Sequence, residues 1–117
     1  MAAPTEIRLR RAEKCLEIDF DDGSRCVLPA EYLRVESPSA EVQGHSPSER
    51  KIVAGRRHVG ILSVEPVGNY AIRILFDDLH DTGIYSWDYL RTLGREQTKR
   101  WHAYEKALAE RGLTREP

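Results

Sequence analysis

The spacing of apolar residues changes period several times along the chain, and each change marks an element. Ile7 and Leu9 alternate with charged residues, as in a short strand with one buried face. Leu16, Ile18 and Phe20 alternate in the same way with Cys15, Glu17 and Asp19. Asp22-Gly23 is a hairpin turn signal, and Cys26-Val27-Leu28 returns as the partner strand. The opening third therefore predicts an antiparallel meander. Pro29 suits the first turn of a helix, where a missing N–H costs nothing. Ala30 to Arg34 follow as one or two helical turns, with Tyr32 and Leu33 facing inward.

The pattern lapses between Ser37 and Arg57, where serine, proline, glycine and arginine recur without a period. The expectation is a long, mobile surface loop at about 37–57, and a loop of that length is usually functional or disordered. Periodicity resumes in Val59 to Val64, a strand, followed by a turn over Pro66 to Asn69. Tyr70, Ile72, Ile74 and Phe76 then alternate with Ala71, Arg73 and Leu75, which completes a second hairpin. Ile84 and Tyr85 can form a brief strand. Ser86 is placed to cap a helix from Trp87 to Leu93, with Asp88 near its positive end and Gly94 as its stop. A last helix runs from about Arg95 to Arg111 and puts Trp101, Tyr104 and Leu108 on one face. These elements predict one α+β domain over residues 5–112. Two antiparallel hairpins form a twisted sheet, with a short helix after the first and a C-terminal helix packed on it.

Composition narrows the class. A chain of 117 residues, 40% hydrophobic and 32% charged, can hold one core without staples. A net charge of -1 argues against a general attraction to nucleic acid or anionic membrane. No apolar run approaches the roughly 18 residues of a membrane span. The opening MAAPTEIRLRR has no apolar stretch of the secretory type, so the cytoplasm is the expected compartment. Cys15 and Cys26 form no CxxC and read as free thiols on strands.

The densest chemistry lies in FDDLHDTGIYSWDYLRTLG, residues 76–94. His80 is flanked by Asp78 and Asp81, carboxylates that can orient an imidazole and raise its proton affinity. The functional reading is a metal ligand or acid–base group, with His45 as a further ligand if the fold brings it near. The plainer reading is a turn histidine bonded to nearby backbone, since a lone histidine rarely makes a metal site. Tyr85 and Trp87 follow as binding candidates. Arg50, Lys51, Arg56 and Arg57 form the best anion-binding cluster, and a solvated loop is the plainer alternative. No nucleophile elbow occurs, and neither cysteine has a neighbouring histidine.

Three stretches carry a family resemblance: LPAEYLRVESPSAEV, VEPVGNYAIRILFDDLHDTGIYSWDYL and LGREQTKRWHAYEKAL. Together they resemble a small bacterial family of unknown function that is similar to the N-terminal domain of gamma-butyrobetaine hydroxylase. In the hydroxylases, the resemblance implies, this domain precedes an iron- and 2-oxoglutarate-dependent barrel and carries a structural zinc. Related domains accompany Mrp-type P-loop ATPases that carry iron–sulfur clusters. The implied function is therefore a non-catalytic accessory module with a protein partner, such as an Mrp-type iron–sulfur carrier or another metalloenzyme. Its expected surfaces are the 43–57 loop and the Asp77–Trp87 segment, and no cofactor of its own is implied. The alternative is a metal- or small-ligand-binding protein built around His80. At the zinc positions of the family, three cysteines fall on Ser37, Ser39 and Val42, and the histidine falls on His80. One ligand in four remains, so the corner is expected to be a degenerate zinc site. There His80 would bond to the Ser37–Ser39 turn and hold the loop against the second hairpin.

Overall fold

A computed structural model describes residues 3–43 and 51–117 of the chain. Three strands, β1 (Pro4–Arg10), β2 (Cys15–Phe20) and β3 (Arg25–Pro29), form the expected meander in the order β1-β2-β3. Gly23 takes φ +84° in the β2–β3 turn, a conformation that glycine adopts without strain. Leu16 faces Leu9 on one side and Leu28 on the other, so the apolar positions line one face. Cys15 stands opposite Pro29 and Cys26 opposite Ile18, and both thiols are free.

A second sheet has the order β4-β5-β6, from Ile61–Val67, Ala71–Phe76 and Ile84–Ser86. Pro66 lies inside β4 and not in the turn, which β4's position at the sheet edge permits. The hairpins thus belong to two three-stranded sheets, each completed by the short strand that the pattern allowed at its margin. Between them lie α1 (Ala30–Val35) and α2 (Ala40–Gln43), and after them come α3 (Trp87–Arg95) and α4 (Gln97–Glu110).

One core joins the sheets. Leu16, Ile18 and Leu28 from the first meet Ile72, Ile74 and Phe76 from the second, with Tyr32, Leu33, Leu90 and Leu93 packed between helices and strands. Ser86 Oγ accepts the Tyr89 N–H at 3.1 Å and caps α3 as expected. Gly94 does not stop α3, which continues to Arg95. Its role is closeness: a Cβ there would stand 3.0 Å from Cys26 Cβ, so glycine lets the helix press on β3. Tyr104 and Leu108 bury the expected face of α4 against Val35, with Trp101 partly buried beside them.

The 37–57 stretch departs from a surface loop at both described ends. Ser37, Ser39 and Val42 are buried. Ile52, Val53 and Ala54 pack against Val35, Tyr104 and Leu108. His45 and Arg50 lie outside the described residues, as does the rest of 44–50.

Candidate functional site

The loop between β5 and β6 forms a corner against the turn that follows α1. The chain reverses at the end of β5, where Leu79 N–H donates to the Phe76 carbonyl at 2.9 Å and Phe76 N–H to the His80 carbonyl at 3.0 Å. The reversal puts Leu79 at φ +71°, a left-handed conformation that costs a side-chain-bearing residue about 1–2 kcal/mol. Asp78 Oδ1 accepts the His80 N–H at 3.1 Å, a local bond that aspartate favours in turns. His80 is only 7% exposed. Its Nε2 lies 2.9 Å from Ser37 Oγ, and Ser37 Oγ also accepts the Ser39 N–H at 3.3 Å. Ser39 Oγ meets Thr82 Oγ1 at 2.6 Å. A Cβ on Gly83 would stand 2.5 Å from Ser37 Oγ, so only glycine allows so close an approach.

Two tyrosines close the joint from behind. Tyr85 OH donates to the Leu33 carbonyl at 2.6 Å, and Tyr89 OH donates to the Glu36 carbonyl at 2.5 Å. A helix as short as α1 leaves its last carbonyls without intrahelical partners, and these hydroxyls satisfy two carbonyls at its end. Burial pushes the Tyr85 phenol well above its ordinary range.

Asp78 ties a third segment to the corner. Its Oδ2 accepts Arg34 Nε at 2.8 Å and Arg56 Nε at 2.7 Å, which joins α1, the 51–57 segment and the β5–β6 loop at one oxygen. Asp78 as a whole residue is exposed, whereas its side chain is 21% exposed. Burial alone would raise this carboxyl, but the His80 N–H and the two guanidiniums outweigh it and hold it below the ordinary aspartate value. Arg34 Nη1 is buried without a hydrogen-bond partner.

The predicted site residues therefore separate. His80, Asp78 and Arg56 meet at the corner, with Ser37 and Ser39. Asp81 is exposed, and its charge acts on Arg73 of β5. Tyr85 is fully buried, so it serves the core and is not offered to a ligand. Trp87 opens α3 and donates Nε1 to the Asn69 carbonyl at 2.8 Å, which fastens it to the β4–β5 turn. Arg57 pairs with Glu116 at 2.6 Å. With Arg56 on Asp78 and Arg57 on Glu116, these two guanidiniums of the expected basic cluster do not converge on one anion. Sequence reasoning gave no role to Arg34, which sits in the last turn of a helix all of whose residues are buried. That placement is a signal that a charged residue has a partner inside the fold.

Zinc fits this corner poorly. Tetrahedral ligands at about 2.0–2.3 Å from an ion stand roughly 3.3–3.7 Å apart with the ion between them. Ser37 Oγ and His80 Nε2 are instead in direct hydrogen-bond contact at 2.9 Å. Val42 offers no donor atom, and Ser39 Oγ is spent on Thr82. Among the described residues no group of three or more His, Cys, Asp or Glu could hold a metal ion.

The fold and its corner define a class: a small α+β domain whose histidine joins two loops by hydrogen bonds. The chain matches the family described as "Gamma-butyrobetaine hydroxylase-like, N-terminal" over residues 7–91, and it belongs to that family. Two NMR solution structures are each 43% identical over 100% of this chain, cover 92% and 87% of their own chains, and give TM-scores of 0.86. A crystal structure from Acidithiobacillus ferrooxidans, of a protein with unknown function in the DUF971 family, is 42% identical with a TM-score of 0.66. It covers 78% of this chain and 91% of that one. Among curated proteins no sequence matches.

Proposed function

We propose that the chain is a non-catalytic accessory module that docks onto a protein partner through the β5–β6 loop. The partner class that the family resemblance suggests is an Mrp-type iron–sulfur carrier ATPase or another metalloenzyme. The observation that carries this reading is Leu79. It is 74% exposed in a left-handed backbone at the tip of the corner. Strain of this kind persists where the surroundings over-determine it, and an exposed leucine gives the fold no burial in return. The exposed Asp77 and Asp81 flank it, which suits an apolar pocket with a basic rim. The polar groups beneath, Ser37, Asp78 and His80, make hydrogen bonds within the fold, so they support the turn as scaffold and not as catalysts.

The test is affinity purification from the cell that makes the protein, using wild type and Leu79→Gly, with metal content measured on the same samples. The expected result is a reproducible partner with wild type that is lost with Leu79→Gly, although the variant stays folded. Equal recovery with both proteins, or no reproducible partner at all, overturns the reading. One zinc per chain coordinated by His80 would replace it with a metal-dependent role.

A further inference from the structure

A second polar feature lies away from the corner, where residues 112–117 run back over the start of α1. After α4 the chain turns at Gly112, φ +65°, and then has no helix or strand. Thr114 and Arg115 carbonyls accept the Gly55 and Arg57 N–H groups, each at 3.0 Å. Arg115 Nε and Nη2 donate to the two carboxylate oxygens of Glu31 at 2.8 and 2.6 Å. Its guanidinium also sits 5.1 Å from the centre of the Trp101 ring.

Glu31 explains why an arginine is there. Its side chain is only 8% exposed, in the first turn of α1. A carboxylate so enclosed needs a paired cation, and a planar guanidinium meets both of its oxygens at once. The Trp101 face adds a cation–π contact, and Tyr32 stands edge-on to Trp101 with ring centres 6.3 Å apart. These groups line a cleft of about 280 Å³ with Pro29, Gln97 and Arg115 itself. Apart from Arg115, the segment is held by its two backbone bonds to 55–57 and by the Glu116 carboxylate, which accepts Arg57 Nη1 at 2.6 Å. Leu113, Thr114, Glu116 and Pro117 are all exposed.

We infer that Glu31, Trp101 and Tyr32 form a guanidinium-binding site. Arg115 fills it within the chain, and an arginine-bearing extended segment of a partner protein can take its place. The fork of Glu31 selects arginine over lysine, whose ammonium cannot span both oxygens in one plane. Exchange at this site releases the contacts to 55–57, and Arg56 in that segment reaches Asp78 at the corner. That there is a partner rests on the accessory-module reading, whereas the site rests on its own geometry.

The test uses the full chain and a blocked peptide of sequence Gly-Leu-Thr-Arg-Glu-Pro, followed by NMR at the Trp101 indole. Arg115→Ala vacates the site, and it should bind the peptide at least about tenfold more tightly than wild type does. The same peptide with lysine for arginine should bind at least about tenfold more weakly. Adding Glu31→Gln to Arg115→Ala should abolish binding. Equal binding by wild type and Arg115→Ala, or binding that survives Glu31→Gln, overturns the site. If Arg115→Ala does not fold, Glu31→Gln alone decides. Amide relaxation of 113–117 should become that of a free segment, and unchanged relaxation overturns the proposal. A dimer held by exchanged 112–117 segments would overturn the partner assignment. Peptide binding is read without any partner, so its failure removes this site and leaves the Leu79 surface standing. Failure to recover a partner does the reverse.

Discussion

The left-handed backbone at Leu79 turns the chain so sharply that its side chain faces solvent while the next residue, His80, goes under the loop. The two residues should therefore respond oppositely to mutation. Leu79→Gly removes about 1–2 kcal/mol of backbone strain and adds about 0.5–1 kcal/mol of unfolded-state entropy. Its expected outcome is a net gain of about 0.5–1 kcal/mol in urea denaturation. A loss would mean that the leucine contributes to the fold, and its exposure would no longer argue for docking. His80→Ala opens a cavity in a closed space and removes the Nε2 contact from Ser37 Oγ, which keeps the Ser39 N–H, and should cost about 2–3 kcal/mol. Zinc added to wild type should leave the denaturation midpoint where it was, whereas a bound ion would raise it through linkage. The contact between His80 and the Ser37–Ser39 turn was legible in the order of the family motifs. The strain at Leu79 was not, because residue identity does not encode the sign of φ when hydrogen bonds on both sides impose it.

At the scale of elements, periodicity located strands and helices but misjudged the segments held by single anchors. The 37–57 stretch looked like surface because serine, glycine and arginine outweigh its apolar residues. Ser37 is nevertheless buried, and Val53 is held by its carbonyl, which accepts Tyr104 OH. Such contacts leave no repeat in sequence, although Ile52-Val53-Ala54 was a short apolar signal inside the basic run. Gly94 shows the same limit. As a helix stop it would have served for a left-handed backbone, but inside α3 it serves for closeness to β3. Gly94→Ala gains about 1 kcal/mol of helix propensity and then forces a Cβ to within 3.0 Å of Cys26 Cβ. Overpacking of this kind typically costs 1–3 kcal/mol, so a net loss of about 1 kcal/mol is expected. Cys26→Ala should not rescue it, because the Cβ is the nearer atom and remains. Recovery on removing the sulfur would place the clash at Sγ and refute the backbone-proximity account.

For the whole molecule, ionisable groups shape how stability changes with pH. Asp19 is held at about 2 by Arg25 and Arg8. Asp22 is held at about 2 by the Ser24 hydroxyl and N–H, and Asp78 is also lowered. Unfolded aspartates titrate near 3.9, so the folded state binds fewer protons than the unfolded state in acid. Stability from these groups is full above about pH 4 and is lost as pH falls toward 2. At the other limit, burial pushes Tyr104 up to about 12 and raises Tyr32 and Tyr85 as well. Unfolded tyrosine releases its proton near 10, so this contribution is full below about pH 10 and is lost as pH climbs through 12. Tyr104→Phe separates the limbs. It removes the Val53 bond at a neutral-pH cost of about 1 kcal/mol, and it should make the alkaline fall in stability shallower while leaving the acid limb parallel to wild type. Denaturation midpoints measured from pH 2 to 12 would check it. An alkaline limb unchanged by the substitution would mean that Tyr104 ionises in place without opening the contact between α4 and the 51–57 segment.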